Sequence, residues 1–410
     1  MKLADVHKTQ DEIKALTKKY MIETYERFDF VAERAEGMYL YDTAGNAYLD
    51  FYGGIAVNSA GNCNEKVVAA VREQAGQIMH TFNYPYTVPQ AVLAELVCET
   101  LGMDKIFYQS TGTEANEAMI KMARKYGVDH YGPDKYHIIT AKGSFHGRTY
   151  GAMSATGQPD NACQVGFKPV VPGFSYAEFN NVDDFRAHVT DQTIAIMLEV
   201  IQGEGGVNPA TPQFMAGIAD LCREKGLLLL LDEIQCGWCR SGKIMAYMDY
   251  PGIKPDIVSM AKALGGGMPI SAICAGKDVA EAFTMGSHGT TFGGNPVCCA
   301  AAYAEVSELL KRNLAGHAQA VGDDFMAKLK KVPGVKVVRG KGLMIGVEFE
   351  APIGLDVKHG CFDRHLLVTL IGDRIIRLIP PLIASEADCD QACIILAEAA
   401  EAALRKVALL

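Results

Sequence analysis

Two stretches decide the fold: residues 227–235 read LLLLLDEIQ, and residues 257–267 read IVSMAKALGGG. Each begins as a short apolar run and continues into an ionisable side chain, Asp232 in the first and Lys262 in the second. Five consecutive leucines are typical of a strand buried on both faces, as in a parallel sheet under helices. Because open α/β sheets bind ligands at the carboxyl edge of their strands, we expect both side chains at one site there. The alternative is a buried acid and an unrelated surface lysine.

Strand, turn and helix alternate on either side of these stretches. The pattern predicts strands over 106–108, 136–140 and 194–199, and helices over 65–79, 88–101, 296–311 and 315–331. Before them it predicts a helix over 5–22 and a hairpin over 38–50. The tail alternates short strands (343–349, 366–370, 375–378) with helices over 354–364 and 386–406. We therefore expect an α/β fold, with a large domain whose mostly parallel sheet is flanked by helices and a smaller α+β domain. The expected division is 1–55 (N-terminal segment, packing with the small domain), 56–315 (large domain) and 316–410 (small domain).

The composition favours a soluble enzyme over several other classes of protein. The chain has 410 residues, a formal net charge of −9 and 21% charged residues. This acidity argues against a nucleic acid or an anionic membrane as partner. No run of about 18 apolar residues predicts a membrane span, and the first twenty residues lack the apolar core of a signal peptide. The 12 scattered cysteines fit free thiols in a cytoplasmic protein better than a disulfide framework. Cys236 and Cys239 form a CxxC without a second pair, so we expect a structural role and no metal.

The segment 106–117 combines a predicted strand with a helix start. Thr111 and Glu114 have the spacing of a capping box, and Gly112 and Thr113 stand between them. A helix N-terminus presents free N–H groups, which makes it a ready phosphate site. A plain capped helix without a ligand is the alternative. Two glycine-rich loops, 141–149 with Phe145, His146 and Arg148, and 288–296, have the composition of site loops rather than core.

The combination is more specific than its parts. A phosphate-ready helix start, an aromatic ring for stacking, an acid for a ring nitrogen and a lysine able to form a Schiff base are what pyridoxal 5′-phosphate (PLP) requires. The sequence resembles the class III PLP-dependent aminotransferases of fold type I, nearest to acetylornithine aminotransferases, from about residue 20 to 400. The strings that carry the resemblance are 35–42, 110–117, 144–149, 231–235, 261–267, 289–296, 339–343 and 377–382.

The resemblance implies a set of cofactor residues. Lys262 would hold PLP and move the substrate proton, and Asp232 would keep the pyridine nitrogen protonated. Gln235 would bond the phenolic oxygen, while Phe145 and Ile234 would cover the two ring faces. The remaining cofactor residues are Gly112 and Thr113 at the phosphate, Thr291 from the neighbouring subunit of a homodimer with shared active sites, and Glu233 within the acid motif.

The resemblance also implies the substrate residues. Arg377 would take the α-carboxylate of glutamate, and Glu204 would pair with Arg377 when the other substrate binds. Arg148 would take the second carboxylate, with Tyr25 beside it and Thr290 at the substrate mouth. Ile55 occupies a position where ornithine aminotransferases tend to have a tyrosine that contacts the free α-amino group. An isoleucine there favours an acylated amine.

The expected reaction is therefore transfer of the δ-amino group of N2-acetyl-L-ornithine to 2-oxoglutarate, giving N-acetyl-L-glutamate 5-semialdehyde and L-glutamate in arginine biosynthesis. Succinylornithine, ornithine and 4-aminobutyrate remain alternative substrates. Isomerisation, as in glutamate-semialdehyde aminomutases, is disfavoured by the pair of Glu204 and Arg377. A non-catalytic protein is disfavoured by the presence of both Lys262 and Asp232. A dinucleotide-binding enzyme is disfavoured because no G-x-G-x-x-G opens a helix after the first strand. Two departures from the family pattern, at 61–65 and 237–240, lie outside the cofactor residues.

Overall fold

The computed structural model describes residues 1–409. Its helices are α1 Leu3–Val6, α2 Gln10–Tyr20, α3 Gly53–Ala56, α4 Glu65–Gln77, α5 Val88–Leu101, α6 Gly112–Tyr131, α7 Tyr150–Ala155, α8 Val182–Ala187, α9 Pro212–Lys225, α10 Lys277–Ala280, α11 Pro296–Lys311, α12 Leu314–Leu329, α13 Gly354–Asp363 and α14 Glu386–Ala408. Its strands are β1 Ala32–Glu36, β2 Tyr39–Asp42, β3 Ala47–Asp50, β4 Lys105–Gln109, β5 His137–Ala141, β6 Phe174–Ala177, β7 Thr193–Glu199, β8 Ile201–Gln202, β9 Asn208–Pro209, β10 Leu228–Asp232, β11 Ile257–Met260, β12 Ser271–Ala275, β13 Val335–Lys341, β14 Met344–Phe349, β15 Leu366–Leu367, β16 Thr369–Ile371 and β17 Ile375–Leu378.

A seven-stranded sheet forms the centre of the large domain. Its order is β4-β12-β11-β10-β7-β5-β6, and every neighbouring pair is parallel except the two that involve β12. The leucine run forms the interior strand β10, in which Leu230 lies opposite Met197 of β7 and Ile257 of β11. The predicted mostly parallel sheet is confirmed.

The leucine run is buried on both faces of this sheet. Leu228 and Leu230 belong to the core under α6, whereas Leu229 and Leu231 belong to the core on the other face. Since each fully buried leucine contributes about 1.5–3 kcal/mol, the run anchors both layers. It also fixes the position of Asp232, the last residue of the strand and its first polar side chain.

The N-terminal segment and the C-terminal part are joined by a shared sheet. In its order β1-β2-β3-β15, β15 runs parallel to β3, with Leu366 opposite Leu49. The strand predicted over 366–370 is therefore divided, because its first half pairs with β3 and its second half, β16, pairs with β17 in the sheet β13-β14-β17-β16. We propose on this basis that residues 1–55 and 316–410 form one smaller domain.

The N-terminus differs from its predicted form. The single helix expected over 5–22 is two helices, because His7 has a left-handed backbone (φ 50°) and Thr9 starts a new helix with a capping box to Glu12. No helix within residues 1–409 combines the length and apolar character that crossing a bilayer requires.

Candidate active site

The carboxyl edge of the large sheet borders a cavity of about 450 Å³. This volume is within the range of small-molecule sites. Its lining includes Gly112, Thr113, Asn116, Phe145, His146, Arg148, Glu199, Glu204, Asp232, Ile234, Gln235 and Lys262. The structure thus brings the acid and the lysine of the two opening stretches to one site.

Asp232 is held rigidly at the base of the cavity. Its Oδ2 accepts hydrogen bonds from Asn116 Nδ2 (2.7 Å) and His146 Nδ1 (2.8 Å), and its Oδ1 accepts from the Ile234 N–H (3.0 Å). Asn116 is oriented in turn, because its Oδ1 accepts from the Ser259 hydroxyl (2.7 Å) on β11. These donors stabilise a carboxylate in a buried place, where it can pair with a cationic ligand nitrogen.

Lys262 is separated from the end of β11 by Ala261 alone and has an unusual backbone conformation. Its φ is 45°, in the left-handed region that non-glycine residues rarely adopt, and such strain clusters at functional sites. Burial lowers the pKa of Lys262 to about 8, against the opposing effect of the Glu204 carboxylate. A lysine with this pKa carries a substantial neutral fraction at physiological pH, as a nucleophile or a proton acceptor requires.

The N-terminus of α6 faces the same cavity. The Thr111 hydroxyl accepts from the Glu114 N–H, and Glu114 Oε2 accepts from the Ser110 and Thr111 N–H groups, so the predicted capping box is present. Within the described part of the chain, the N–H groups of Gly112 and Thr113 have no acceptor. A Cβ added at Gly112 would lie 3.0 Å from Ile234 Cγ2 and narrow the cavity. This geometry is a cradle for a phosphate.

Phe145 and Ile234 also lie at the cavity, and Phe145 is fixed by a buried acid. The Phe145 N–H donates to Glu199 Oε1 (2.8 Å), and Glu199 Oε2 accepts from the Gly203 N–H (3.0 Å). Burial raises the pKa of Glu199 to about 7. Glu199 therefore ties the loop that carries the aromatic ring to the loop that carries Glu204.

These groups fit PLP. The free N–H groups of Gly112 and Thr113 suit its phosphate, Asp232 suits its ring nitrogen, Phe145 and Ile234 suit its two faces, and Lys262 suits its aldehyde. The unpaired amide donors of Gly112 and Thr113 are the decisive observation, since they belong to a helix N-terminus that borders the cavity and such a terminus favours an anionic ligand.

A second polar cluster lies beside the cofactor residues. Arg377 Nη1 pairs with Glu204 and also donates to Gln235 Oε1 (3.1 Å), while Gln235 Nε2 donates to Glu204 Oε1 (3.3 Å). Burial raises the pKa of Glu204, but the guanidinium outweighs it and holds that pKa below its usual value. The Arg377 side chain is only 4% exposed, whereas that of Glu204 is 34% exposed. Glu204, the more exposed partner, thus lies against a buried cation and also lines the cavity.

Arg148 lies at the exposed side of the cavity. Its guanidinium lies 5.8 Å from the Phe145 ring centroid and, among residues 1–409, forms no ion pair. The site thus has two guanidinium groups, the unpaired one of Arg148 and that of Arg377, which is paired with Glu204, and a guanidinium is suited to bind a carboxylate.

Several expected residues lie elsewhere. Glu233 was expected among the cofactor residues, but it does not line the cavity. Its carboxylate accepts hydrogen bonds from the Ala246 and Tyr247 N–H groups (2.9 and 2.8 Å) and from Cys236, on the side away from the cavity. Neither Tyr25, which is 77% exposed, nor the half-buried Ile55 lines the cavity; Val57 does.

Thr290 and Thr291 lie outside the cavity within this chain. They line an adjacent surface depression that reaches Ser110, and Thr291 is exposed. This placement leaves Thr291 available to a second subunit. The structure of one chain does not bring it to the phosphate cradle.

Sequence reasoning missed Asn116 and Glu199 and gave His146 little weight. Glu199 carried the same signal as Asp232, an acid at the end of a buried strand. Asn116 interrupts the apolar face of α6 between Ala115 and Met119, where a buried amide requires a specific partner. His146 is fully buried, and its Nε2 has no partner within residues 1–409.

Comparison with known proteins agrees with this geometry. The model of the aminotransferase class-III family matches residues 20–400. The acetylornithine aminotransferase of Caldanaerobacter subterraneus subsp. tengcongensis is 43% identical over 383 residues, covering 92% of this chain and 96% of that protein. The acetylornithine aminotransferase of Aquifex aeolicus is 43% identical over 380 residues, covering 92% and 99%. The ornithine aminotransferase structure from Toxoplasma gondii ME49 superposes with a TM-score of 0.92 at 32% identity, covering 97% and 96%. The chain therefore belongs to the class-III aminotransferases, which are PLP-dependent enzymes.

Proposed function

We propose that this enzyme transfers the δ-amino group of N2-acetyl-L-ornithine to 2-oxoglutarate, giving N-acetyl-L-glutamate 5-semialdehyde and L-glutamate, a step of arginine biosynthesis. The observation that carries the proposal is a pair of unlike arginines at one site: Arg148 lines the cavity without an ion pair, whereas Arg377 lies behind Glu204 and Gln235, which line it. An enzyme with two unlike substrates needs one carboxylate site for both and a second that can be opened or closed. The names of the two relatives described above, both 43% identical, support the same substrate.

Each residue has a defined task in this reaction. When bound, PLP supplies an electron-withdrawing ring that stabilises negative charge at the substrate carbon. Asp232 would keep the ring nitrogen protonated, and the N–H groups of Gly112 and Thr113 would hold the phosphate. Lys262 Nζ would hold the cofactor and, as the general base, would accept and return the proton at the substrate carbon. Its pKa of about 8 suits both directions of that transfer.

The two substrates use the arginines differently. Glutamate places its α-carboxylate on Arg377, which displaces Glu204, and its side-chain carboxylate on Arg148. Acetylornithine enters with its δ-amine first and its α-carboxylate on Arg148, so Glu204 stays on Arg377 and no bare cation faces the substrate's methylene groups. Gln235 contacts both Glu204 and Arg377 and would turn to the phenolic oxygen of the cofactor.

We also propose a cytoplasmic homodimer in which Thr290 and Thr291 complete the partner's site. Thr291 is exposed, and Tyr84, Tyr86 and Phe292 form exposed aromatic surface near the same loop. Aromatic residues of this kind are enriched at protein interfaces. Light scattering of the purified protein tests the assembly, and Thr291→Ala should then weaken PLP binding.

A substrate panel tests the reaction. Purified enzyme is given acetylornithine, succinylornithine, ornithine or 4-aminobutyrate, each with 2-oxoglutarate, and glutamate formation is measured. The proposal requires acetylornithine to have the highest kcat/KM or to be matched only by succinylornithine. Turnover of ornithine or 4-aminobutyrate without turnover of acetylornithine would refute it. Product formed without any oxo acid would indicate isomerisation instead.

A further inference from the structure

Glu117 lies one turn beyond the phosphate cradle on α6 and contacts the loop that carries Arg148. Its Oε1 accepts three hydrogen bonds, from the Thr149 hydroxyl (2.5 Å), the Gly151 N–H (2.8 Å) and the Ala152 N–H (3.1 Å). The function proposed above does not use this carboxylate. Its three partners all belong to the segment that directly follows Arg148.

Glu117 acts as the N-terminal cap of α7. Thr149 occupies the N-cap position of this helix but makes no side-chain capping bond of its own. The free N–H groups of the first turn, at Gly151 and Ala152, are satisfied instead by Glu117 from another helix. A carboxylate at a helix N-terminus is also favoured by the helix dipole. Arg148 directly precedes the N-cap, so the capping bond fixes the backbone from which its side chain extends.

Thr113 holds the same loop from the other side. Its Oγ1 accepts from the N–H groups of Arg148 (3.1 Å) and Thr149 (3.2 Å). Because the Thr149 hydroxyl donates to Glu117, it must accept from the Thr113 hydroxyl, at 2.8 Å. The Thr113 hydroxyl is therefore fully used. Thr113 serves a phosphate through its backbone N–H and the Arg148 loop through its side chain.

The loop lies so close to α6 that a side chain at either of two glycines would displace a side chain of the helix. A Cβ added at Gly147 would lie 2.2 Å from Thr113 Oγ1, and one at Gly151 would lie 2.2 Å from Glu117 Oε2. Non-bonded atoms do not approach each other so closely. Thr113, Glu117 and these glycines thus attach the Arg148 loop to the helix whose first turn forms the phosphate cradle.

We propose that Glu117 is a positioning residue for carboxylate recognition: it fixes the Arg148 backbone relative to α6, and so sets the distance between the cofactor and the substrate's distal carboxylate. This inference rests on the proposed role of Arg148. A misplacement of about 1 Å in such a constellation can cost roughly a hundred-fold in rate. The purely structural alternative is that Glu117 only stabilises α7.

The two roles are separated by comparing two oxo acids. Pyruvate has only the carboxylate assigned to Arg377, whereas 2-oxoglutarate also has the one assigned to Arg148. We expect Glu117→Ala to lower the ratio of kcat/KM for 2-oxoglutarate over pyruvate by about ten-fold or more, mainly through KM. Glu117→Gln retains an oxygen that can accept the same bonds and should recover most of the ratio. PLP affinity should not change.

Two further variants decide the interpretation. Glu114→Ala, on the same helix, removes the cap of the phosphate cradle and should weaken PLP binding, yet at saturating PLP it should leave the oxo-acid ratio unchanged. Arg148→Gln should lower the ratio at least as much as Glu117→Ala. If Arg148→Gln lowers it and Glu117→Ala lowers both oxo acids equally, the inference alone is refuted. If Arg148→Gln leaves the ratio unchanged, the proposed function fails together with it. Should Glu117→Ala not fold, Thr149→Val removes one of the three bonds and takes its place.

Discussion

Replacement of Glu204 by glutamine should change the preference between the two substrates rather than abolish activity. The Glu204 carboxylate pairs with Arg377, whose side chain is 4% exposed. Glutamine keeps the size and the hydrogen-bonding capacity but removes the charge. Arg377 then remains a buried cation with only neutral partners, Gln235 and Thr369, at 3.1 and 3.2 Å.

The size of the effect follows from this contact. A hydrogen bond between charged groups contributes about 1.5–3 kcal/mol, and the partial exposure of Glu204 favours the lower end. Acetylornithine leaves the pair intact when it binds, so loss of the pair affects the free enzyme and the complex alike, and its kcat/KM should change little. Glutamate no longer has to displace a charged partner, so its kcat/KM should rise by about ten-fold. The ratio of the two values should therefore shift about ten-fold toward glutamate.

Half-reactions provide the assay, because each substrate alone changes the visible absorbance of the bound cofactor. Rates are measured against substrate concentration for wild type, Glu204→Gln and the control Glu178→Gln, which removes an exposed glutamate paired with Lys142. The control should leave both substrates unaffected. An equal loss for glutamate and acetylornithine in Glu204→Gln would refute the masking role, and so would an unchanged ratio.

Three further predictions concern the buried ionisable groups. Capture of PLP by the apoenzyme should become faster with rising pH around a midpoint near 8, because burial favours neutral Lys262. About 10% of the amine is then neutral at pH 7, against roughly 0.03% for an unperturbed lysine. A stopped-flow rate that still rises through pH 10 would contradict this prediction. Asn116→Asp places a second carboxyl within hydrogen-bonding distance of Asp232, where the atoms of the native pair are 2.7 Å apart; the two acids should share a proton, and PLP affinity measured by dialysis should fall about ten-fold or more. Burial raises the pKa of Glu233 to about 7, above its unfolded value, so the folded apoprotein should lose stability as pH rises from about 4.5 to 7; Glu233→Gln should flatten this dependence by up to about 3 kcal/mol in urea unfolding, without altering the spectrum of bound PLP.

The cofactor half of the site was predictable because it follows from local rules. A leucine run specifies a strand buried on both faces, and the residue at its carboxyl end must lie at the sheet edge, which placed Asp232 correctly. The capping box likewise placed Gly112 and Thr113 at a free helix end. The same rule distinguishes two adjacent residues. Because side chains alternate in direction along a strand, Glu233 points away from the cavity although it follows Asp232 directly.

Other features depend on contacts between distant segments and were not predictable in this way. The hydrogen bonds of Asn116 to Asp232 and of Glu117 to the Arg148 loop connect residues 116 and 34 positions apart. Nothing in either local pattern specifies the partner. The division of residues 366–371 between two sheets has the same origin, because only the folded position of β3 decides where one strand ends. The role proposed for Thr291 requires a second chain, so the fold of one chain does not reveal it.

Ile55, the residue that the sequence linked to the preference for an acylated amine, does not explain that preference by direct contact. Ile55 does not line the cavity, so the lack of a tyrosine there does not act by direct contact within this chain. Arg148 offers a better reason, since within residues 1–409 it has no acidic partner. Binding of the ornithine α-carboxylate would bring the α-ammonium close to this guanidinium, with no carboxylate of the protein to offset the repulsion between the two positive charges. Acylation removes that positive charge and leaves the carboxylate free to bind. Arg148→Gln should therefore weaken acetylornithine far more than free ornithine, and an equal loss for both would refute this explanation.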